Sequence, residues 1–421
     1  MIHLASNLIT KYFIPNQQGM PERRYDLDWL RIVVFGLLIF FHIGMLYVAN
    51  WGFHYKSIYQ SEFLANFMLI VEPWRMASLW IISGIAIRFI LVRVSLLRFA
   101  FVRSLRLLLP LLFGVLVIVP PQLYVEMTAN GALDLSYWQF YQAMFTDTGA
   151  IFANYQAGIW PHWDVNHLWY LRSLWQYSLV LIILLPVLNS RLITGACQWI
   201  FKQHIALIII VFSLPIFIIQ ITWPQDTSRY PLGFTFLLYG FLIGWHEHFW
   251  QKIKVQIKFI LICFITVMII FIAFYNIVWL TIDDTTPPWL IIMGMTIYSL
   301  ARVLGVLLVL ALAYKYLNKK SPLLSYFNDA VYPFYILHQT IIIVLAYNLS
   351  PWSLGPIFEP FIIIVLTTLL CFGCFEVIRR FDFLKPLFGV KVKKAYSLNL
   401  TKLAYILGSL AIFPIGLEIL L

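Results

Sequence analysis

The stretch LRIVVFGLLIFFHIGMLYVA, residues 30–49, decides the class of fold. It holds one permanently charged side chain, Arg31, and one imidazole, His42, in an otherwise almost wholly apolar run. A helix of about 20 apolar residues crosses the hydrocarbon core of a bilayer. Because the run lacks the apolar–polar alternation of a barrel strand, it predicts a transmembrane helix.

Similar runs recur along the whole chain. Of its 421 residues, 62% are hydrophobic and only 11% are charged, against about 25% charged in soluble domains. The sequence therefore predicts an all-α, polytopic integral membrane helical bundle of about 10–11 transmembrane helices. The predicted spans are residues 30–49, 64–89, 105–121, 166–188, 205–223, 231–245, 259–280, 290–314, 330–349, 358–378 and 403–421.

The chain divides into three predicted parts. They are a cytoplasmic N-terminal segment at 1–24, one membrane domain at 25–394 and a C-terminal hydrophobic helix at 395–421. The first residues predict an uncleaved first helix and no signal peptide. The longest connection, at about 121–164, is rich in aromatic residues, which favours interfacial anchoring for any single ring and sugar stacking for the group. These aromatic residues are Tyr124, Tyr137, Trp138, Tyr155, Trp160 and Trp163.

The net charge of +11 follows membrane topology. Alternate connections carry nearly all the basic residues, while the others hold only Lys56 and Arg229 beside several aspartates. The positive-inside rule then predicts a multi-pass protein of a bacterial inner membrane with a cytoplasmic N-terminus. Membrane lipid is the expected partner of this charge, and nucleic acid is not expected.

Ionisable residues inside spans are costly in lipid and mark candidate chemistry. Arg31 and His42 lie eleven residues apart on one helix face, with about 16 Å between them along the axis. This spacing favours a long anionic ligand that reaches a deep imidazole from the cytoplasm; the alternatives are an Arg31–Asp28 ion pair and a hydrogen-bonded core histidine. The ionisable residues in spans are Arg31, His42, Glu72, Arg75, Arg172, Arg302 and His338.

Other motifs have a functional and a structural interpretation. Ser83-Gly84 permits close approach of a ligand or of a neighbouring helix. His167 and Arg172 either line an outer vestibule or anchor the span at the interface. A group of arginines without lysine favours phosphate binding over lipid head groups. This group is Arg88, Arg93, Arg98, Arg103 and Arg106.

Neither a metal site nor a disulfide is expected. His246 and His248 flank Glu247, but nothing else completes a set of metal ligands. The four cysteines lie in or near spans or on the cytoplasmic side, where disulfides are rare.

Taken in chain order, these segments resemble the membrane acyltransferase-3 family, and within it the glucan-biosynthesis type that succinylates periplasmic glucans. The resemblance covers about residues 23–394. The matching segments are Tyr25-Asp26-Leu27-Asp28-Trp29-Leu30-Arg31 with His42, Arg75-Met76 with Ser83-Gly84, Arg103 to Arg106 before Pro110, His167-Leu168-Trp169-Tyr170-Leu171 and Tyr335-Ile336-Leu337-His338.

The resemblance implies an O-acyltransferase that moves an acetyl or succinyl group from cytoplasmic acyl-CoA to a hydroxyl of an extracytoplasmic carbohydrate such as a periplasmic glucan. Acetyl-CoA or succinyl-CoA would be a co-substrate, with no permanently bound cofactor. His42 would be the catalytic base and Arg31 its donor-side partner, and both direct transfer and an acyl-histidine intermediate stay open.

With the residue patterns added, the predicted sites fall into two groups. The predicted acyl-CoA-binding residues are Arg31, Ser83, Gly84, Arg98, Arg103 and Arg106. The predicted acceptor or oxyanion residues are Glu72, Arg75, His167, Trp169, Arg172 and His338. A transporter or flippase of an anionic molecule is the competing class, and a ligand-binding scaffold or sensor is a third. Assembly into a homo-oligomer also stays open.

Overall fold

The computed structural model describes residues 23–146, 151–155 and 163–391. These residues are mostly helical, and no β-strand is found among them beyond an isolated bridge between Val48 and Ser61. The α-helices are α1 (Tyr25–Tyr47), α2 (Leu64–Leu91), α3 (Leu96–Phe113), α4 (Pro120–Ala129), α5 (Tyr137–Thr146), α6 (Trp169–Leu188), α7 (Arg191–Lys202), α8 (Ile205–Thr222), α9 (Gln225–Ile243), α10 (Glu247–Val255), α11 (Ile257–Ile277), α12 (Pro288–Leu312), α13 (Pro322–Leu349) and α14 (Gly355–Arg380).

Within the described residues, nine helical segments are long and apolar enough to cross a membrane, which confirms the polytopic all-α prediction. The predicted span 231–245 falls mainly in α9, which is not among the nine and begins with polar turns. Most of the N-terminal segment, the predicted span 403–421 and the C-terminal helix at 395–421 lie outside the described residues. The nine segments are Tyr25–Tyr47, Leu64–Leu91, Leu96–Ala129, Asn166–Leu188, Ile205–Thr222, Ile257–Thr281, Pro288–Leu317, Pro322–Trp352 and Gly355–Arg380.

The third predicted span is wrong at both ends. The structure has one helical segment, Leu96–Ala129, which widens to a π-helix at Gly114–Ile118 and continues into α4. Pro120 lies in the first turn of α4, where the missing N–H costs little. Arg103 and Arg106 therefore lie within a helix, and the predicted connection begins about eight residues later than expected.

The described residues form two compact units. Unit 1 comprises residues 23–37, Asn66–Leu96 and Val180–Leu324. Unit 2 comprises Leu38–Ala65, the described parts of Leu97–Leu179, and residues 325–391. Helix α1 contributes its first half to unit 1 and its second half to unit 2.

The core of unit 1 is built on close helix crossings. Helix α12 packs against α8 and α11. A Cβ atom added at Gly84 on α2 would collide with the carbonyl oxygen of Leu237 on α9, and one added at Gly240 would collide with that of Ile81. Close packing of two helix backbones requires glycine at such positions. The helix-packing interpretation therefore accounts for Gly84, and its role in ligand binding stays a prediction.

The core of unit 2 brings α1 against α13. Ile43 and Leu46 of α1 pack with Ile342 of α13 and with Ile363 of α14. Leu46 and Ile342 each lie four residues after a histidine, namely His42 and His338. Because residues four apart share a helix face, this packing turns both histidines toward each other.

The aromatic connection forms a small core of its own. Phe140 and Phe152 are fully buried, and Trp163 donates a hydrogen bond from Nε1 to the carbonyl oxygen of Met144 over 3.1 Å. Trp138 stays 65% exposed, and Trp160 lies outside the described residues. Packing thus accounts for several of these rings, and sugar stacking stays a prediction.

Candidate active site

A pair of histidines lies at the centre of unit 2. His42 Nδ1 lies 2.9 Å from His338 Nε2, and the two ring centres are 5.0 Å apart. His338 has no exposed surface, whereas His42 is half-buried and stacks on Phe53 with an interplanar angle of 14°. The His42 ring therefore faces the interior of unit 2.

The hydrogen bonds of His338 assign the proton positions on both rings. His338 Nδ1 lies 3.0 Å from the carbonyl oxygen of Phe334 and 2.8 Å from that of Tyr335, so this nitrogen carries the hydrogen. In a neutral ring His338 Nε2 is then an acceptor. His42 Nδ1 must donate to it, which leaves the lone pair of His42 on Nε2.

His167 is the third histidine of this centre. Its ring lies edge-on to that of His338, with ring centres 5.6 Å apart. Its Nε2 donates to the carbonyl oxygen of Ile336 over 3.0 Å, and its Nδ1 accepts from the Gln122 side-chain amide over 3.2 Å. His167 is therefore a fully hydrogen-bonded neutral ring, held from α4 and α13.

Side-chain amides continue the network. Thr340 donates to the Ile118 carbonyl oxygen, so its hydroxyl accepts from Gln122 Nε2 over 2.6 Å. The Gln122 oxygen then accepts from Gln339 Nε2 over 3.1 Å. This order of donors and acceptors fixes the orientation of the Gln122 side-chain amide. In this series of hydrogen bonds, each donor faces an acceptor.

The network ends at a histidine–acid pair. Gln339 and His54 both donate to the Asn166 side-chain oxygen over 3.1 Å. His54 Nδ1 lies 2.5 Å from the carboxylate of Glu126, and both side chains are about one quarter exposed. Asn166 has φ +45°, a left-handed conformation that asparagine tolerates better than most residues. These hydrogen bonds thus connect the buried His167 to the partly exposed His54–Glu126 pair.

Sequence reasoning singled out His42, His167 and His338 but missed the residues that connect them. Gln122 and Gln339 are buried at 0% and 3% exposure inside helices, and His54 follows α1 in a connection. A buried amide in an apolar span is a signal of its own, because lipid offers it no partner. Gln339 carries that signal directly beside His338.

Unit 1 holds a different polar cluster, made of charged groups. Tyr298 donates to the Glu72 carboxylate over 2.5 Å, and the Arg302 guanidinium lies 4.1 Å from the centre of the Tyr298 ring. Arg75, at 7% exposure, and Arg302 both interact electrostatically with Glu72. The predicted pairing of Glu72 with Arg75 therefore belongs to a larger set that includes Tyr298, which the sequence reasoning missed.

Arg31 has the ion-pair partner that the structural interpretation expected. Its Nη2 lies 3.2 Å from Asp28, which also accepts from Arg23 over 3.1 Å. This pairing accounts for Arg31 near a membrane boundary. Its role toward an acyl donor stays a prediction.

The arginines that were predicted to bind phosphate contact different partners in the structure. Arg103 Nε donates to the Ser178 hydroxyl over 3.3 Å, and Arg106 lies 3.5 Å from the carbonyl oxygen of Gly389. Arg98 is exposed, and Arg88 donates to the Asn189 side chain over 2.6 Å. Phosphate binding by this group stays a prediction.

Three further predicted residues are half-buried. Trp169 and Arg172 are half-buried in the first turn of α6, directly after His167. Ser83, which precedes the packed Gly84 on α2, is half-buried. No group of three or more potential metal ligands is found in the part of the chain that the structure describes.

His246 lies outside the membrane segments. Burial is the main cause that lowers the pKa of this imidazole, and the positive charge of Arg88 and the neighbouring His248 add to it. A neutral His246 fits a position packed against Phe201, with ring centres 5.0 Å apart.

Comparison with known proteins agrees with the membrane architecture. A family model described as an acyltransferase domain, of the acyltransferase-3 family, matches residues 24–376. Glucans biosynthesis protein C of Escherichia coli strain K12 is 27% identical to the chain over 187 residues, and the same protein of strain SMS-3-5 gives the same values. The match covers 43% of this chain and 40% of the relative, and no solved structure matches.

Proposed function

Since the chain belongs to the acyltransferase-3 family, we propose that this multi-pass membrane acyltransferase moves an acetyl or succinyl group from cytoplasmic acyl-CoA to a hydroxyl of an extracytoplasmic carbohydrate. One observation carries the proposal: the contact between His42 Nδ1 and His338 Nε2, which leaves a lone pair on His42 Nε2. A glucan is the favoured acceptor because part of the chain is similar to glucans biosynthesis protein C.

The reaction needs a base at the acceptor hydroxyl. His42 Nε2 removes the hydroxyl proton while the oxygen attacks the thioester carbonyl carbon. The tetrahedral intermediate then expels the CoA thiolate as the carbon–sulfur bond breaks. His42 returns the proton to the sulfur, so the products are an ester and free CoA thiol, and the enzyme regains its starting state.

His338 is proposed as a positioning residue for this base. When His42 takes the proton, its Nδ1–H donates to His338 Nε2 as a charge-assisted hydrogen bond, which is stronger than a neutral one. His338 in turn donates to the carbonyl oxygens of Phe334 and Tyr335, which hold its ring orientation. The pair therefore fixes the tautomer and stabilises the imidazolium.

The acceptor is proposed to enter near the His54–Glu126 pair. The connection that carries His54 is predicted to be extracytoplasmic from the distribution of basic residues. The carboxylate of Glu126 and the amides of Asn166 and Gln339 offer donors and acceptors that suit sugar hydroxyls. The donor is proposed to enter from the opposite, cytoplasmic side, with Arg98, Arg103 and Arg106 of unit 2 as predicted ligands of its phosphates.

Thiol release tests the proposal. The purified protein in lipid nanodiscs is incubated with acetyl-CoA or succinyl-CoA, with and without a glucan oligosaccharide. We expect free thiol and a mass shift of the glycan by one acyl group only when the acceptor is present. His42→Ala should abolish both signals, whereas His248→Ala, an exposed histidine outside the network, should retain them.

A transporter would behave differently in the same assay. It would leave the thioester intact with every acceptor and would move a labelled anion across a proteoliposome membrane. Thiol release that ignores the acceptor would equally contradict transfer to carbohydrate.

A further inference from the structure

A cavity of about 350 Å³ lies in unit 1, beside connections that the charge pattern predicts to be cytoplasmic. Its volume falls within the range of small-ligand pockets, about 300–1,000 Å³. Two arginines and four aromatic rings form much of its wall. The residues used below are Arg23, Arg24, Trp245, Glu247, Trp250 and Tyr314.

Arg24 is held rigidly in this wall. Its Nε and Nη2 donate to the fully buried carboxylate of Asp26 over 2.8 and 2.6 Å. Its guanidinium carbon lies 3.9 Å from the centre of the Trp250 ring and 4.8 Å from that of Tyr314. Because Asp26 engages two of the three nitrogens, Nη1 keeps its hydrogens for another acceptor.

The other wall residues add a mobile cation and further donors. The side chain of Arg23 is 61% exposed and its Nη2 lies 3.1 Å from Asp28. The indole N–H groups of Trp245 and Trp250 are buried, and neither has an acceptor among the described residues. An unsatisfied buried donor costs free energy that an incoming acceptor would recover.

We propose that this cavity binds the adenine nucleotide end of the CoA donor; the inference rests on the proposed acyl-CoA function. Flat heteroaromatic bases stack on indole and phenol faces and on guanidinium planes. Arg23 and the Nη1 group of Arg24 supply the planar donors that phosphate oxygens prefer. One cavity thus offers both elements that a nucleotide requires.

A lipid head group fits these walls less well. Phosphate of a lipid needs the cations but gains nothing from stacked rings, and Trp250 is only 1% exposed, at the inner wall rather than at the surface. Glu247 also lines the cavity, and hydrogen bonds from Gln251 and Tyr314 lower the pKa of its carboxylate. An ionised Glu247 can accept a hydrogen bond from an adenine amino group, a donor that a phosphatidylglycerol head group lacks.

Calorimetry with fragments of the donor tests the inference on the full-length protein in phosphatidylcholine nanodiscs. CoA and adenosine 3′,5′-bisphosphate should both bind, and pantetheine should bind far more weakly. Arg23→Gln and Trp245→Ala should each weaken CoA binding about tenfold without changing the affinity for pantetheine. Arg24 and Trp250 are left unchanged, because Asp26 would lose its partner and the fold would suffer.

Arg191→Gln is the matched control, since it removes an exposed arginine of a neighbouring helix outside the cavity. It should keep the affinity for CoA. A wild-type protein that transfers acyl groups, with Arg23→Gln and Trp245→Ala that both bind CoA normally, would overturn the inference and leave the proposed function standing. Nucleotide binding that these variants weaken, without any acyl transfer, would support the cavity and contradict the proposed function. Loss of CoA binding when phosphatidylglycerol replaces phosphatidylcholine would assign the cavity to lipid instead.

Discussion

The two units place polar groups inside membrane spans in opposite ways. In unit 2, His42, His167 and His338 are held by neutral amides, carbonyls and one another. In unit 1, the Glu72 carboxylate accepts a hydrogen bond from Tyr298 and interacts electrostatically with two guanidinium groups, so this cluster is built from charged side chains. Only the neutral cluster can accept a proton without weakening an attraction between opposite charges.

This difference separates side chains suited to catalysis from side chains suited to stabilising the fold. A neutral imidazole keeps a lone pair on one nitrogen that can take up a proton, and its protonation strengthens the hydrogen bond on the other side. A carboxylate near Arg75 and Arg302 offsets buried positive charge, and its removal leaves more of that charge uncompensated. We therefore expect substitutions in the histidine network of unit 2 to act mainly on turnover and those in the Glu72 cluster of unit 1 mainly on stability.

The largest effect is expected from His42→Ala. Loss of a general base lowers kcat by about 10²–10⁴-fold. The free energy of unfolding should fall by only about 1–3 kcal/mol, because His338 Nε2 loses its donor. Thiol release and thermal unfolding of the same nanodisc preparation measure both; a variant with normal kcat and poor stability would reverse the comparison between the units.

The second effect is expected from Glu72→Gln. It leaves Arg75 and Arg302 without their carboxylate, so the free energy of unfolding should fall by about 3–5 kcal/mol. Any protein that remains folded should keep most of its kcat. Glu62→Gln, at an exposed position, is the control and should change stability by less than about 0.5 kcal/mol. Equal stability of the two variants would show that the Glu72 carboxylate does not stabilise Arg75 and Arg302.

The third effect concerns the partner of the base. His338→Leu removes the acceptor for His42 Nδ1–H, and we expect kcat to fall about 100-fold with KM nearly unchanged, within the range of general-base effects. His338→Gln offers an amide oxygen to the same hydrogen and should recover about tenfold of that loss. A merely structural role for His338 predicts no such recovery at matched stability.

The sequence predicted the helices better than their ends, for a reason visible in α4. Apolar runs identify spans because only helices satisfy the backbone in lipid. Gln122 and Glu126 fall within the connection that the sequence predicts at about 121–164. In the structure they lie on a helix and bond to Gln339 and His54, so polarity here reflects polar neighbours rather than water.

Only part of the candidate site could be predicted from the sequence. His42 and His338 stand out as ionisable residues in spans, yet they are 296 residues apart, and helix periodicity carries no information about which helices meet. Their contact depends on the packing of α1 against α13 in unit 2. The charged cluster was likewise only partly predictable. Glu72 and Arg75 are three residues apart on one helix, whereas Tyr298 and Arg302 lie on a helix distant in sequence.

The smallest effect concerns the packing of α2 against α9 in unit 1. A methyl group at Gly84 meets the backbone of Leu237 and Phe241, which cannot move away as a side chain could. Gly84→Ala should therefore lower the free energy of unfolding by about 1–3 kcal/mol, as overpacking does. Gly36→Ala is the matched control, because nothing lies within 4 Å of the added carbon and alanine favours the helix. Because Gly84 touches backbone and no imidazole, kcat should stay near that of the wild type in both variants; a stable Gly84→Ala protein that loses turnover would instead return Gly84 to the acyl-donor site.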